Sequence, residues 1–117
     1  VNAGHPPLML KRGADVHDFG ATGRPVGLLS DQSYESESAT LGEGDMVLLY
    51  TDGILEAGVL NGADEFGLKR IRDGLAGERG PREVIERLAT ALSTHIDGRE
   101  RDDDVTLVCL RRKSGKI

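Results

Sequence analysis

The stretch Met46-Val47-Leu48-Leu49-Tyr50-Thr51-Asp52-Gly53 decides how this chain is read. Five consecutive apolar or aromatic side chains, bounded by Gly42-Glu43-Gly44-Asp45 on one side and Asp52-Gly53 on the other, predict a strand buried on both faces. Such a strand delivers Asp52 to the rim of the core. A carboxylate at the end of a rigid strand is well placed to hold a cation, because the strand supplies stiffness and the rim supplies access. Two blander readings stand beside this one: Thr51-Asp52-Gly53 as a simple turn, and Asp52 as a helix cap for the residues from Ile54 onward.

Working outward, the next strong signal lies near the other end of the chain. Residues 105–110, Val-Thr-Leu-Val-Cys-Leu, form a second apolar run and predict a second buried strand. It follows a charged loop over residues 97–104 that ends in Asp102-Asp103-Asp104. Neighbouring strands lie less than about 5 Å apart, so two antiparallel neighbours meeting at one rim would bring Asp52 and these aspartates around one ion. Oxygen-only ligands select hard ions such as magnesium or manganese. Three aspartates in a loop are more commonly just solvated, and it is their position opposite Asp52 that makes the site reading competitive.

The remaining elements follow from turn residues and periodicity. Pro6 and Pro7 exclude a helix at the amino terminus. Leu8-Met9-Leu10 and Val16-His17-Asp18-Phe19 read as a hairpin, with Val16 and Asp18 on the face opposite His17 and Phe19. Residues 20–31 form a glycine-punctuated loop in which Val26, Leu28 and Leu29 are the expected apolar anchors. Residues 34–41 alternate acids and hydroxyls and read as an exposed edge strand, paired with the 46–50 strand through a turn at 42–44. Beyond Asp52 a short helical turn is expected at 54–57 and a helix over 67–75, carried by Leu68, Ile71 and Leu75. The clearest helix covers 81–96: Pro81 suits its first position, Glu83 and Glu86 favour its amino-terminal dipole, and Val84, Leu88, Leu92 and Ile96 recur every fourth residue beside Ile85 and Ala89. Gly98 ends it. His17 and His95 read as surface positions, Arg24 as a solvated arginine within reach of a phosphate, and the basic tail from Arg111 as frayed.

Composition limits the function classes. The 117 residues make one domain at most. With 38% hydrophobic and 30% charged residues the balance is that of a soluble globular protein, and with 3% aromatics the core must be built from aliphatics. The 16 glycines, about twice the usual share of roughly 7%, call for many tight turns. A net charge of −5 without a basic stripe argues against nucleic acid as a partner. The single cysteine, Cys109, reads as a small buried hydrophobe in a reducing cytoplasm. No apolar stretch approaches the roughly 18 residues of a membrane span, and no signal-type segment is visible. The opening Val1, with no initiator methionine, reads as the start of a piece cut from a longer protein.

Taken in order, Asn2-Ala3-Gly4-His5-Pro6-Pro7, Thr22-Gly23-Arg24-Pro25-Val26-Gly27-Leu28, Gly44-Asp45 leading to Leu48-Leu49-Tyr50-Thr51-Asp52-Gly53 and Glu56-Ala57, Glu65-Phe66-Gly67, and Asp103-Asp104-Val105-Thr106-Leu107 resemble the metal-dependent PPM-type (protein phosphatase 2C-like) serine/threonine phosphatases of the bacterial SpoIIE and RsbU kind. The resemblance covers residues 1–112 as the carboxy-terminal part of that domain, leaving 113–117 as a tail. It implies an α+β fold, an antiparallel β-sandwich flanked by helices. It further implies hydrolysis of phosphoserine or phosphothreonine on a protein of the anti-sigma-factor-antagonist type, by a water that two manganese or magnesium ions activate, without a phosphoenzyme. Residue by residue, Asp52 and Asp103 match metal ligands. Asp104 matches an orienting or water-mediated position, Gly53 the glycine of the Thr-Asp-Gly motif, and Asp102 no role. His5 has two readings, a substrate or proton-transfer group near the phosphate and a turn residue. The family's bridging aspartate and second-metal ligand belong to an amino-terminal signature absent here, so the resemblance implies weak metal binding, little or no catalysis by these residues alone, and self-association through uncovered sheet edges. A non-catalytic phosphoprotein-binding module is the alternative, and a structural piece whose acids merely solvate turns is a third.

Overall fold

In a computed structural model, residues 1–99 and 103–115 are described. Asp102 and the last two residues of the tail lie outside that set. The described chain forms one four-stranded antiparallel sheet with its helices on one face, an α+β architecture. The strands are β1 (Leu8–Arg12), β2 (Asp15–Phe19), β3 (Met46–Tyr50) and β4 (Leu107–Arg111), in the spatial order β2-β1-β3-β4. The helices are α1 (Asp52–Leu55), α2 (Gly67–Leu75) and α3 (Pro81–Ile96), with a 3-10 turn at Val59–Asn61. None of the described helices is long and apolar enough to cross a membrane.

β1 and β2 make the expected hairpin. Gly13 takes φ 61 at its tip, a left-handed conformation that glycine adopts without steric cost. Met9 opposes Asp18 and Leu10 opposes His17. β3 lies in the middle of the sheet, with Met9 opposite Leu48 on one side and Cys109 opposite Leu48 on the other. Both of its flanks are therefore filled by partners distant in sequence. Its side chains are buried except Leu49, which is half-buried.

Period 2 divides the sheet into two unlike faces. Met9, Met46, Leu48 and Tyr50 point into the main core, where they meet Ile71 and Leu75 of α2 and Val84, Leu88, Leu92 and Ile96 of α3. The period-four stripe of α3 is buried as expected, Ala89 stays exposed, and Asp97 at φ 52 followed by Gly98 at φ 77 terminates the helix. Arg72 of α2 pairs with Asp18 of β2, and the buried Lys11 donates to the Gly77 carbonyl, so charged groups close the helix-sheet seam at two points.

Four expectations require correction. Residues 34–41 form no strand. Their alternation lacks an apolar face, and the flank of β3 assigned to them is occupied by β1. They are held as an irregular segment, with Arg12 donating to the Thr40 carbonyl at 2.5 Å and Arg112 to that of Leu41. The carboxy-terminal strand starts at Leu107 and is an edge strand on which Val108 and Leu110 are 43% and 54% exposed, because the helices cover only the other face. Val26, Leu28 and Leu29 are exposed and anchor nothing; the loop is tied instead by a bridge between Ala3 and Gly23 and by Thr22 donating to the Asn2 carbonyl at 2.8 Å. The tail does not fray at Arg111. β4 includes that residue, Arg112 exchanges backbone bonds with Gly44 and Asp45, and Gly115 donates to Glu43.

Candidate metal and phosphate site

The carboxyl end of β3 and the amino end of β4 meet at one rim of the sheet, with Tyr50 opposite Leu107. Just beyond that pair, Thr51 ties the two segments together. Its N–H donates to the Thr106 carbonyl at 3.1 Å, the Thr106 N–H donates to Thr51 Oγ1 at 3.0 Å, and the Thr51 hydroxyl lies 3.4 Å from the Asp104 carbonyl. Gly53 makes the approach possible. A Cβ there would fall 2.0 Å from the Asp104 carbonyl oxygen and 2.8 Å from its carbon. The Thr-Asp-Gly and Asp-Asp-Val-Thr motifs thus interlock through backbone.

The consequence is a cavity of about 430 Å³ lined by Asp52, Glu56, Glu65 and Asp103, with Gly53, Val59 and Leu60. Asp52 is the first residue of α1, with Thr51 in the cap position, and no side chain caps the helix. The capping reading of Asp52 is thereby removed, and its exposed carboxylate is turned toward the cavity rather than spent on helix N–H groups. Asp103 accepts a bond from the Asp104 N–H at 2.7 Å, which fixes its carboxylate locally. Asp104 contributes its backbone carbonyl to the interlock and does not line the cavity.

These donors are all carboxylate oxygens at an open rim, the chemistry that suits a hard divalent cation. They fit as a partial set only. Among the described residues, no three His, Cys, Asp or Glu side chains converge closely enough to hold an ion.

His5 is placed elsewhere. Its N–H donates to Asn2 Oδ1 at 2.7 Å and its Nδ1 lies 2.8 Å from the Pro6 carbonyl, the bonding of a turn residue. It lines a different cavity, of about 390 Å³, with Leu8, Phe19 and Leu49. Arg24 is exposed on its loop, away from the carboxylates.

Two of the lining acids, Glu56 and Glu65, stand in motifs that carry the resemblance but had no site role in the sequence reading. Glu56 lies four residues after Asp52, a spacing that places both on one side of a helical turn, and this signal was available. Glu65 is brought back by the loop between α1 and α2, and the Glu65-Phe66-Gly67 motif does not by itself say that this loop closes on Asp52. His95 also differs from its surface reading. It is half-buried, its ring packs edge-on against Phe66 at 5.6 Å, and Nε2 lies 2.6 Å from the Asp64 carbonyl, so it anchors that loop to α3.

An antiparallel sheet backed by helices carries two aspartates to one rim, which makes this an α+β domain with a candidate site for a hard cation. Residues 1–113 match the family Stage II sporulation protein E (SpoIIE), and the chain belongs to that family. It is 29% identical over 117 residues to Phosphoserine phosphatase RsbU of Bacillus subtilis, covering 97% of this chain and 34% of that protein. Among solved structures, it resembles the SiaA-PP2C domain of Pseudomonas aeruginosa at a TM-score of 0.74 and 28% identity, over 93% of this chain and 43% of that one. It also resembles the manganese-presoaked phosphatase domain of the cell fate determinant SpoIIE from Bacillus subtilis, at a TM-score of 0.67 and 25% identity, over 98% of this chain and 50% of that one. The chain spans 13 to 34% of the length of the curated relatives it matches.

Proposed function

We propose that this chain is the carboxy-terminal part of a cytoplasmic, metal-dependent phosphatase domain that hydrolyses phosphoserine or phosphothreonine on a protein, of the anti-sigma-factor-antagonist type. The observation that carries the reading is the placement of Asp52 and Asp103 on one cavity, by neighbouring antiparallel strands, in a chain of the SpoIIE family. In this proposal both aspartates hold a manganese or magnesium ion, one of two in the intact domain. Such an ion, when bound, supplies Lewis acidity toward phosphoryl oxygens and lowers the pKa of water.

The chain's own residues act around that centre. Gly53 and Thr51 hold the two ligand-bearing segments in register. Glu56 and Glu65 add negative potential that favours cation entry and, without a cation, repels phosphate. Asp104 orients Asp103 through the neighbouring backbone, and His5 has the role of a turn residue. With two candidate ligands in place, the 117 residues alone bind a divalent ion weakly and turn over little. The edge strand β4, on which Val108 and Leu110 are exposed, favours self-association.

The alternative, a phosphoprotein-binding module without turnover, is favoured by one observation, the failure of three ligand-type side chains to converge among the described residues. Manganese-dependent release of phosphate from a phosphoserine peptide by the full-length protein separates the two. The phosphatase reading expects activity that falls at least a hundredfold in Asp52→Asn and in Asp103→Asn. Full activity in both variants would sink it. Phosphopeptide binding without release in the wild type would favour the binding module.

A further inference from the structure

Glu65 reaches the carboxylate cavity on a loop with little apolar grip of its own. The ends of the loop, Ala57 and Phe66, are buried, and the Phe66 N–H donates to the Ala57 carbonyl at 3.0 Å. Between them Val59, Leu60 and Asp64 are exposed, so the core fixes the ends of the loop and leaves its path to polar contacts. Those contacts converge on His95 of α3. Its Nε2 lies 2.6 Å from the Asp64 carbonyl and its ring meets Phe66 edge-on at 5.6 Å, so the residues on both sides of Glu65 touch one imidazole. A Cβ on Gly58 would fall 3.0 Å from Nε2, 2.8 Å from the Asp64 carbonyl oxygen and 3.3 Å from Ala63 Cβ. The tip of the ring is thus wedged between the outgoing and returning arms of the loop. From α2, Arg70 Nη1 donates to the Glu65 carbonyl at 3.1 Å and to that of Phe66 at 2.9 Å. The backbone of Glu65 is gripped while its carboxylate, which has no ion pair among the described residues, lines the cavity with Asp52 and Asp103.

We propose that His95 is a positioning residue of the metal site: by holding Asp64 and Phe66 on either side of Glu65, it keeps that carboxylate on the Asp52–Asp103 cavity, where its charge raises cation affinity. This rests on the reading of Asp52 and Asp103 as cation ligands. Without a cation, like charges around one cavity repel, so a loop that brings a further carboxylate there needs a restraint. His95 supplies it through a defined tautomer. A carbonyl oxygen can only accept, so Nε2 carries the proton and donates it to Asp64.

The test is a double-mutant cycle between His95 and Glu65 in the full-length protein, read as manganese affinity from the free-ion electron paramagnetic resonance signal. Glu65→Gln, at an exposed side chain, is expected to weaken binding about fivefold, the effect of one charge on a divalent ion across roughly 8 Å at the dielectric of water. His95→Phe keeps a ring against Phe66 and removes the donor; it is expected to weaken binding nearly as much, and to speed amide exchange within residues 58–66. The two losses should not add, so the double variant binds about as well as Glu65→Gln alone. His95→Gln, whose side-chain amide can donate in place of Nε2, should stay within about twofold of wild type. Phosphate release by His95→Phe at saturating manganese should fall much less than its affinity. A role confined to stability gives wild-type affinity in His95→Phe, or losses that multiply in the double variant, and either result overturns the proposal; so does unchanged affinity in Glu65→Gln. Failure of the underlying readings looks different. Manganese binding that depends on Asp52 and Asp103 without phosphate release sinks the phosphatase reading and leaves the cycle to decide the role of His95. Binding that survives Asp52→Asn and Asp103→Asn removes both.

Discussion

Substituting Gly53 by alanine places a Cβ 2.0 Å from the carbonyl oxygen of Asp104, 2.8 Å from its carbon and 3.4 Å from Val105 Cγ2. Non-bonded carbon–oxygen contacts need roughly 3.3 Å, so the two backbone segments must part by more than about 1 Å. No flexible side-chain end is available to yield. The displaced backbone carries the Thr51–Thr106 bonds at 3.0 and 3.1 Å, each worth about 1 kcal/mol net. Overpacking adds about 1–3 kcal/mol, and the better helix propensity of alanine in α1 returns up to about 1 kcal/mol. The net expectation is a loss of about 2–4 kcal/mol, which at roughly 4 °C per kcal/mol lowers Tm by about 8–16 °C. Thermal unfolding followed by circular dichroism measures it. Amide hydrogen exchange locates it, with Thr51 and Thr106 exchanging faster while Met9 and Leu48 in the sheet centre keep their relative protection. A Tm within about 2 °C of wild type, with unchanged exchange at Thr51 and Thr106, would refute the interlock.

Three further outcomes follow from the packing. Tyr50 is buried with its hydroxyl unpaired among the described residues, so Tyr50→Phe should stabilise by about 1 kcal/mol; a loss of stability in urea unfolding would show that the hydroxyl has a partner. Burial, reinforced by Asp18, pushes the Tyr50 phenol up to about 12. A raised acid pKa means stability that is complete below the unfolded value near 10 and is lost as pH rises through the folded value, so the 295 nm phenolate signal of Tyr50 should appear only around pH 12 or together with unfolding. The bond from the Arg12 guanidinium at 2.9 Å, followed by the Gly42 N–H at 2.8 Å, holds the Asp45 carboxyl below its usual 3.8. A depressed pKa gives stability present above the unfolded value and lost as pH falls through the folded one, so Asp45→Asn should flatten the acid limb of Tm below about pH 4. An unchanged acid limb in that variant would assign it to other groups.

The sequence carried most of the fold where one element's burial was set by its own pattern. Pro81 and the four-residue repeat from Val84 to Ile96 specify α3 without reference to anything else, and the apolar run of β3 demands a central position wherever its partners come from. What could not be read was which partners those are. β3 takes β1 and β4, separated from it by some thirty and sixty residues, whereas local reasoning offered it residues 34–41 next door. The exposure of Val108 and Leu110 escaped for the same reason, since an apolar run reports what could be buried and not what covers it. At the site, Asp52 stood out because a strand end and a turn motif coincide there, whereas position before the neighbouring strand marked the run Asp102-Asp103-Asp104 as a whole and only the family resemblance picked Asp103 from it. Glu65 depended on a loop closed by Gly58, Gly62 and the distant His95, a contact between α3 and the loop that no window of sequence contains.

The central claim, that Asp52 and Asp103 together hold a divalent cation, is tested most directly by titrating manganese into the 117-residue chain and following paramagnetic broadening of its amide signals. The claim expects broadening centred on residues 52–56 and 103–105, at weak affinity, and abolished by Asp52→Asn or Asp103→Asn. Broadening centred elsewhere, or unchanged in both variants, would contradict it.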